Sequence, residues 1–98
     1  MKYLTLELIH AHLRIDSNIE DSLLTMFAES AEETVLNFLN RSFEDLVEKY
    51  SAVPSPVVHA TLLLVDSAYE HRNSLAATTM TVIPYGNIDV MLKPYIIL

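Results

Sequence analysis

The sequence predicts an all-α fold: a small bundle of four to five helices around a central apolar helix, with one short extended arm. Three observations predict it. The 98-residue chain is 51% apolar yet holds one glycine and four prolines, a composition that favours helices over turn-rich sheets. Apolar residues recur at three- and four-residue steps along most of its length, the period of a helix with one buried face. The run Leu62-Leu63-Leu64-Val65 is apolar on every side, so a helix carrying it has to be covered all round. A chain of this length supplies one core and not two, so 1–98 reads as a single domain.

Thr5 offers a cap to a short helix over Leu6 to Leu13, with Leu6, Ile9 and Leu13 on one face and Glu7 suited to the dipole of the first turn. Ser17 followed by Glu20 has the form of a capping box and predicts a long helix from Asn18 to Asn40. On it Leu24, Phe27, Ala28, Ala31, Val35, Phe38 and Leu39 form the apolar face, and Glu20, Asp21, Glu29, Glu32, Glu33 and Asn37 the solvated one. Ala28 and Ala31 are small enough to let a second helix approach closely. Ser42 with Asp45 predicts a brief further turn over Phe43 to Val47.

Ala52 to Pro56 is a connector, because the residue before each proline is pushed out of helical geometry. The central helix then runs from Pro56 to Arg72, capped by Ser55, with Pro56 giving up an amide that would have no partner there. Asn73 and Ser74 end it, or Leu75-Ala76-Ala77 adds a turn. Thr78 to Ile83 is rich in β-branched residues and reads as the extended arm. Ile83-Pro84-Tyr85-Gly86 suits a type I turn, and a last short helix over Asn87 to Lys93 carries Ile88, Met91 and Leu92 before Pro94 stops it. Tyr95-Ile96-Ile97-Leu98 is an apolar end.

Thirteen Asp and Glu stand against six Lys and Arg, a net charge of -7, so the overall field repels phosphate and argues against nucleic acid or an anionic membrane as ligand. No uninterrupted apolar run exceeds four residues, against the ~20 that span a bilayer, and Glu7 interrupts any signal-like segment. A cytosolic chain is expected. The absence of cysteine excludes disulfides and thiolate metal sites.

The remaining chemistry is sparse. His10 and His12 point to different helix faces, and His59 and His71 stand three turns apart, so none of these pairs has the i, i+4 spacing of a metal chelate. Glu29, Glu32 and Glu33 lack the Glu-x-x-His partner of a di-iron helix and read as a solvated acidic face. A lone glycine leaves neither a Gly-x-Ser-x-Gly elbow nor a phosphate loop. Asp66, Glu70 and Arg72 form a charge cluster at the end of the central helix. No catalytic residue, cofactor or metal is expected.

Three blocks in order carry a family likeness: Tyr3-Leu4-Thr5-Leu6-Glu7 through Ala11-His12-Leu13-Arg14-Ile15-Asp16; Leu62-Leu63-Leu64-Val65 through Tyr69-Glu70-His71-Arg72; and Ile83-Pro84-Tyr85-Gly86 with Leu92-Lys93-Pro94-Tyr95. With them the chain resembles the head-tail connector (adaptor, head-completion) proteins of tailed phages and prophages. The resemblance implies a non-enzymatic virion subunit without a cofactor, joined to copies of itself in a dodecameric ring. Such a ring docks under the portal protein, continues the DNA channel and offers a platform to a tail or head-completion protein. Where the family would carry a basic residue after Pro-Tyr, this chain has Ile96-Ile97-Leu98. A non-catalytic helical interaction module of the host is the alternative, and a small hydrolase a distant third.

The arm and the apolar end are surplus to a core already supplied by three helices, and surplus apolar surface in a small domain belongs to a partner. Met80, Val82, Ile83, Tyr95, Ile96, Ile97 and Leu98 are therefore the expected contacts between copies. Folding back of both segments onto their own core is the alternative.

Overall fold

A computed structural model describes residues 1–71 and 85–97 of the chain. Among the described residues five α-helices run in the order α1 (Leu6–Leu13), α2 (Asp21–Leu39), α3 (Phe43–Tyr50), α4 (Ser55–His71) and α5 (Tyr85–Leu92), followed by a 3₁₀ turn at Lys93–Tyr95. The all-α class holds. The extended arm at 78–83, the end of the central helix at 73–77, Ile83-Pro84 of the predicted turn and Arg72 of the charge cluster lie outside the described residues.

The caps explain most helix limits. Thr5 Oγ1 accepts the Leu8 amide at 3.1 Å, as predicted, and Ser42 Oγ accepts that of Asp45 at 3.0 Å. The second cap nucleates two full turns to Tyr50, where the sequence suggested one brief turn. The capping box at Ser17 does not form. Ser17 Oγ accepts the Ile19 amide at 3.1 Å in a local turn, α2 starts only at Asp21, and the Glu20 carboxylate accepts the Tyr69 hydroxyl of α4 at 2.7 Å. A tertiary bond has displaced the local one. With one glycine in the chain, the left-handed residues that close α1, α2 and α3 are Arg14, Asn40 and Ser51, at φ 60°, 56° and 73°.

At the start of α4, the Val57 and Val58 amides donate to the Pro54 carbonyl at 3.0 and 3.2 Å, so Ser55 sits in the first turn and not outside it. Tyr85 and Gly86 belong to the first turn of α5 rather than to a β-turn.

Helix α4 is central, packed against α1, α2 and α5. Among the described residues it is not covered all round: Val57, Ala60, Thr61, Leu62 and Val65 are buried, while Leu63 and Leu64 are half-buried. A bundle this thin, 17 Å along its shortest axis, cannot put a layer on every side of one helix. Two apolar clusters result. One gathers Val35, Leu39 and Leu46 with Val57, Ile88 and Leu92; the other gathers Leu4, Ile9, Leu24 and Ala28 with Leu62 and Val65. Tyr3 and Leu64 pack against both and join them. Each fully buried leucine among these is worth roughly 1.5–3 kcal/mol over the exposed state.

Candidate assembly site

The predicted face of α2 holds except near its C-terminal end and at one charge. Leu24, Ala28, Ala31, Val35 and Leu39 are buried as expected, but Phe38 is exposed and Leu36 takes its place inside. Glu32, placed by its charge on the solvated face, is 2% exposed. The reason is the extended strap that precedes α1. Its backbone lies over α2, and the Glu32 carboxylate accepts the amides of Lys2, Tyr3 and Leu4 at 2.8, 2.9 and 2.8 Å. Three donors on one carboxylate supply in the interior the solvation that water supplies outside, which is what lets an ionised group be buried. Glu29, one turn earlier and exposed, meets the Met1 amine at 3.3 Å.

Tyr3 completes the strap. Its ring stacks on Phe43 with centroids 6.4 Å apart, and its hydroxyl lies 2.6 Å from Thr61 Oγ1. Thr61 spends its own hydrogen on the Val57 carbonyl at 2.8 Å, so the tyrosine is the donor of the pair. Burial pushes the Tyr3 pKa up to about 12; the Thr61 bond pulls it down and the neighbouring Glu32 charge pushes it further up.

The other end of the chain is held at the C-terminus of α2. The Arg41 amide reaches back to the Leu36 carbonyl at 3.2 Å, closing the helix in a Schellman turn that aims the Arg41 side chain across the end of the bundle. There Nε donates to the Tyr95 carbonyl and one terminal nitrogen to Asp45, both at 2.6 Å, while the guanidinium lies 5.8 Å from the Tyr50 ring centroid. Tyr50 in turn meets Tyr95 edge-on at 5.5 Å. The Ile97 amide donates to the Leu39 carbonyl at 3.0 Å and its carbonyl accepts from Asn40 Nδ2 at 3.2 Å.

Of the expected contact residues, Tyr95 and Ile96 are half-buried against the Val35–Leu92 cluster, so these two are not surplus to the core. Ile97 stands 41% exposed. Met80, Val82, Ile83 and Leu98 lie outside the described residues. The sequence reading missed Glu32, Asn40 and Arg41. A signal for Glu32 existed: Ala28 and Leu36 flank it at four residues either way, so it sits in an apolar row.

His10 Nε2 pairs with Asp21 Oδ1 at 2.6 Å, while His12 of α1 meets His59 of α4 edge-on at 6.4 Å, a contact the sequence did not suggest; among the described residues no three His, Cys, Asp or Glu stand together to hold a metal. Nor is any described helix long and apolar enough to cross a membrane.

What the described site offers is therefore a pair of docked chain ends rather than reactive groups. The family model of the phage gp6-like head-tail connector protein matches residues 3–89, from the strap to α5. The chain belongs to that family. No curated protein and no solved structure matches it. Membership gives the chain a structural role at the connection between phage head and tail, in contact with the proteins on either side.

Proposed function

We propose that this connector chain acts as a single-domain subunit of a dodecameric ring of phage or prophage origin that docks under the portal protein, continues the DNA channel, and presents a platform to a tail or head-completion protein. The observation that carries the reading is the family match across residues 3–89. Two physical features support it. The net charge of -7 gives a channel wall that repels phosphate, so DNA slides along it without adhering. The exposed Ile97, on a tail whose backbone is pinned to α2, presents an apolar side chain at a fixed place, as a contact between copies requires. Before assembly the chain resides in the host cytoplasm. Met80, Val82, Ile83, Ile97 and Leu98 contribute the contact between copies, with Tyr95 and Ile96 as its support.

Electron microscopy of particles carrying a labelled copy tests the placement: label in a ring directly below the portal is expected, and label elsewhere in the virion, or none, would refute it. The channel-wall argument has its own check. Purified protein should leave duplex and single-stranded DNA unshifted at micromolar concentration and physiological salt, and a salt-sensitive shift would contradict it.

A further inference from the structure

We propose that His12 of α1 and His59 of α4 form a two-histidine site for a divalent transition-metal ion of the zinc class, which clamps the first helix to the central one. Neither the connector role nor the ring depends on it. The two residues lie far apart in sequence, and the packing of α1 on α4 is what sets their rings 6.4 Å apart, centroid to centroid. His12 is half-buried and His59 exposed, so the pair opens to solvent and an ion can reach it.

The rings are available. His10 spends its Nε2 on Asp21, whereas His12 and His59 have no hydrogen-bond or ion-pair partner among the described residues. A neutral imidazole carries one ring nitrogen with a free lone pair. That is a good ligand for zinc, nickel or copper and a poor one for magnesium or calcium, which take oxygen. The net charge of -7 favours a cation, and Arg14 beside His12 in sequence is matched by Asp16.

The spacing fits as well. With a Zn–N bond of about 2.0–2.1 Å, each ring centroid stands about 3.2 Å from the ion, so two ligating rings are about 5.2 Å apart at a tetrahedral angle and about 6.4 Å at a straight one. The observed pair stands at the outer edge of that range. Its rings meet at 73°, so one has to turn to aim its nitrogen, and the exposed His59 can change rotamer without disturbing the core. Two protein ligands leave the other positions to water, which makes the site reversible rather than a closed structural zinc centre. Its effect falls on α1, an eight-residue helix with Ile9 as its buried residue, too short to be stable by itself.

Calorimetric titration of the full chain with zinc chloride tests the site, with magnesium chloride as the control. One zinc per chain and no magnesium response are expected, and His12→Gln and His59→Gln should each weaken zinc binding at least about tenfold. Ring proton–nitrogen NMR spectra of the parent locate the ion: the His12 and His59 signals should shift together as zinc is added. Zinc should also slow hydrogen exchange of the α1 amides in the parent and in neither variant. Circular dichroism checks that both variants keep their helix content; if either loses it, the ring spectra of the parent decide alone. Zinc binding that survives both substitutions would overturn the proposal, as would a parent that takes up no zinc at millimolar concentration. So would zinc that binds only as the chain dimerises in sedimentation, since the ligands would then come from two copies.

Discussion

The two ends of the chain both fold onto α2, and they are held by different physics. The strap is fixed by a charge. The Glu32 carboxylate takes three of its amides in the interior, Leu4 is 3% exposed, and Tyr3 reaches through to Thr61 on α4. The tail is fixed by main-chain bonds and Arg41 at the margin of the bundle, with Tyr95 and Ile96 packed inward and Ile97 facing out. The strap commits three amides, the Leu4 side chain and the Tyr3 hydroxyl to its own core, and leaves Met1, 40% exposed, at its outer edge. The tail leaves Ile97 41% exposed on a residue whose amide and carbonyl are both bonded at the end of α2, so the side chain has a fixed place and is the one to test for contact with a neighbouring copy.

Removing the charge breaks the comparison most severely. Glu32→Ala leaves the amides of Lys2, Tyr3 and Leu4 without an acceptor, and each bond to an ionised group contributes about 1.5–3 kcal/mol. The strap can peel away to water, which caps the loss near the worth of docking it. A destabilisation of about 2–4 kcal/mol in urea unfolding is expected, with fast hydrogen exchange at those three amides while the α2 amides stay protected. An unchanged midpoint would show that the carboxylate does not hold the strap.

How far the sequence revealed this divides along the same line. Helix existence, the Thr5 and Ser42 caps and the buried stripe of α2 follow from local patterns, and all were legible. Glu32 was assigned to solvent because a carboxylate is rarely buried without partners. Its partners are backbone amides twenty-eight to thirty residues away, which carry no side-chain signature. Ser17 failed as a cap for a similar reason, since the acceptor of the Tyr69 hydroxyl was Glu20 and the pairing spans 49 residues. The candidate site was legible as an apolar tail, but not the division between its inward and outward side chains, which depends on the turn that Arg41 fixes.

A finer probe of the strap is Tyr3→Phe. At neutral pH the variant loses one hydrogen bond to Thr61, about 0.5–1.5 kcal/mol. The sharper readout is alkaline. Burial raises the Tyr3 pKa from 10.0 to about 12, so the fold favours the protonated phenol; stability from this group is complete below pH 10 and is lost as pH climbs through 12. Over that window the parent protein should lose about 1–3 kcal/mol that the Phe variant does not. Parallel stability curves from pH 9 to 12.5 would contradict the buried phenol.

The smallest effect on stability is expected at the tail, and it is the most informative for assembly. Deleting 95–98 is a blunt probe, because Tyr95 and Ile96 pack on the core and their loss would unsettle the end of α2. Ile97→Ser is cleaner. Its amide and carbonyl keep their bonds to Leu39 and Asn40, and the side chain is already 41% exposed, so the melting curve should move by less than the equivalent of about 0.5 kcal/mol. Ile96→Ser, on a half-buried side chain against the Val35–Leu92 cluster, should cost about 1–2 kcal/mol and serves as the contrast. If Ile97 belongs to the contact between copies, its serine variant shows weakened assembly in sedimentation velocity at unchanged helix content. Assembly equal to the parent's removes Ile97 from that contact. A loss of helix content with Ile97→Ser would instead show that the Ile97 side chain is committed to its own core.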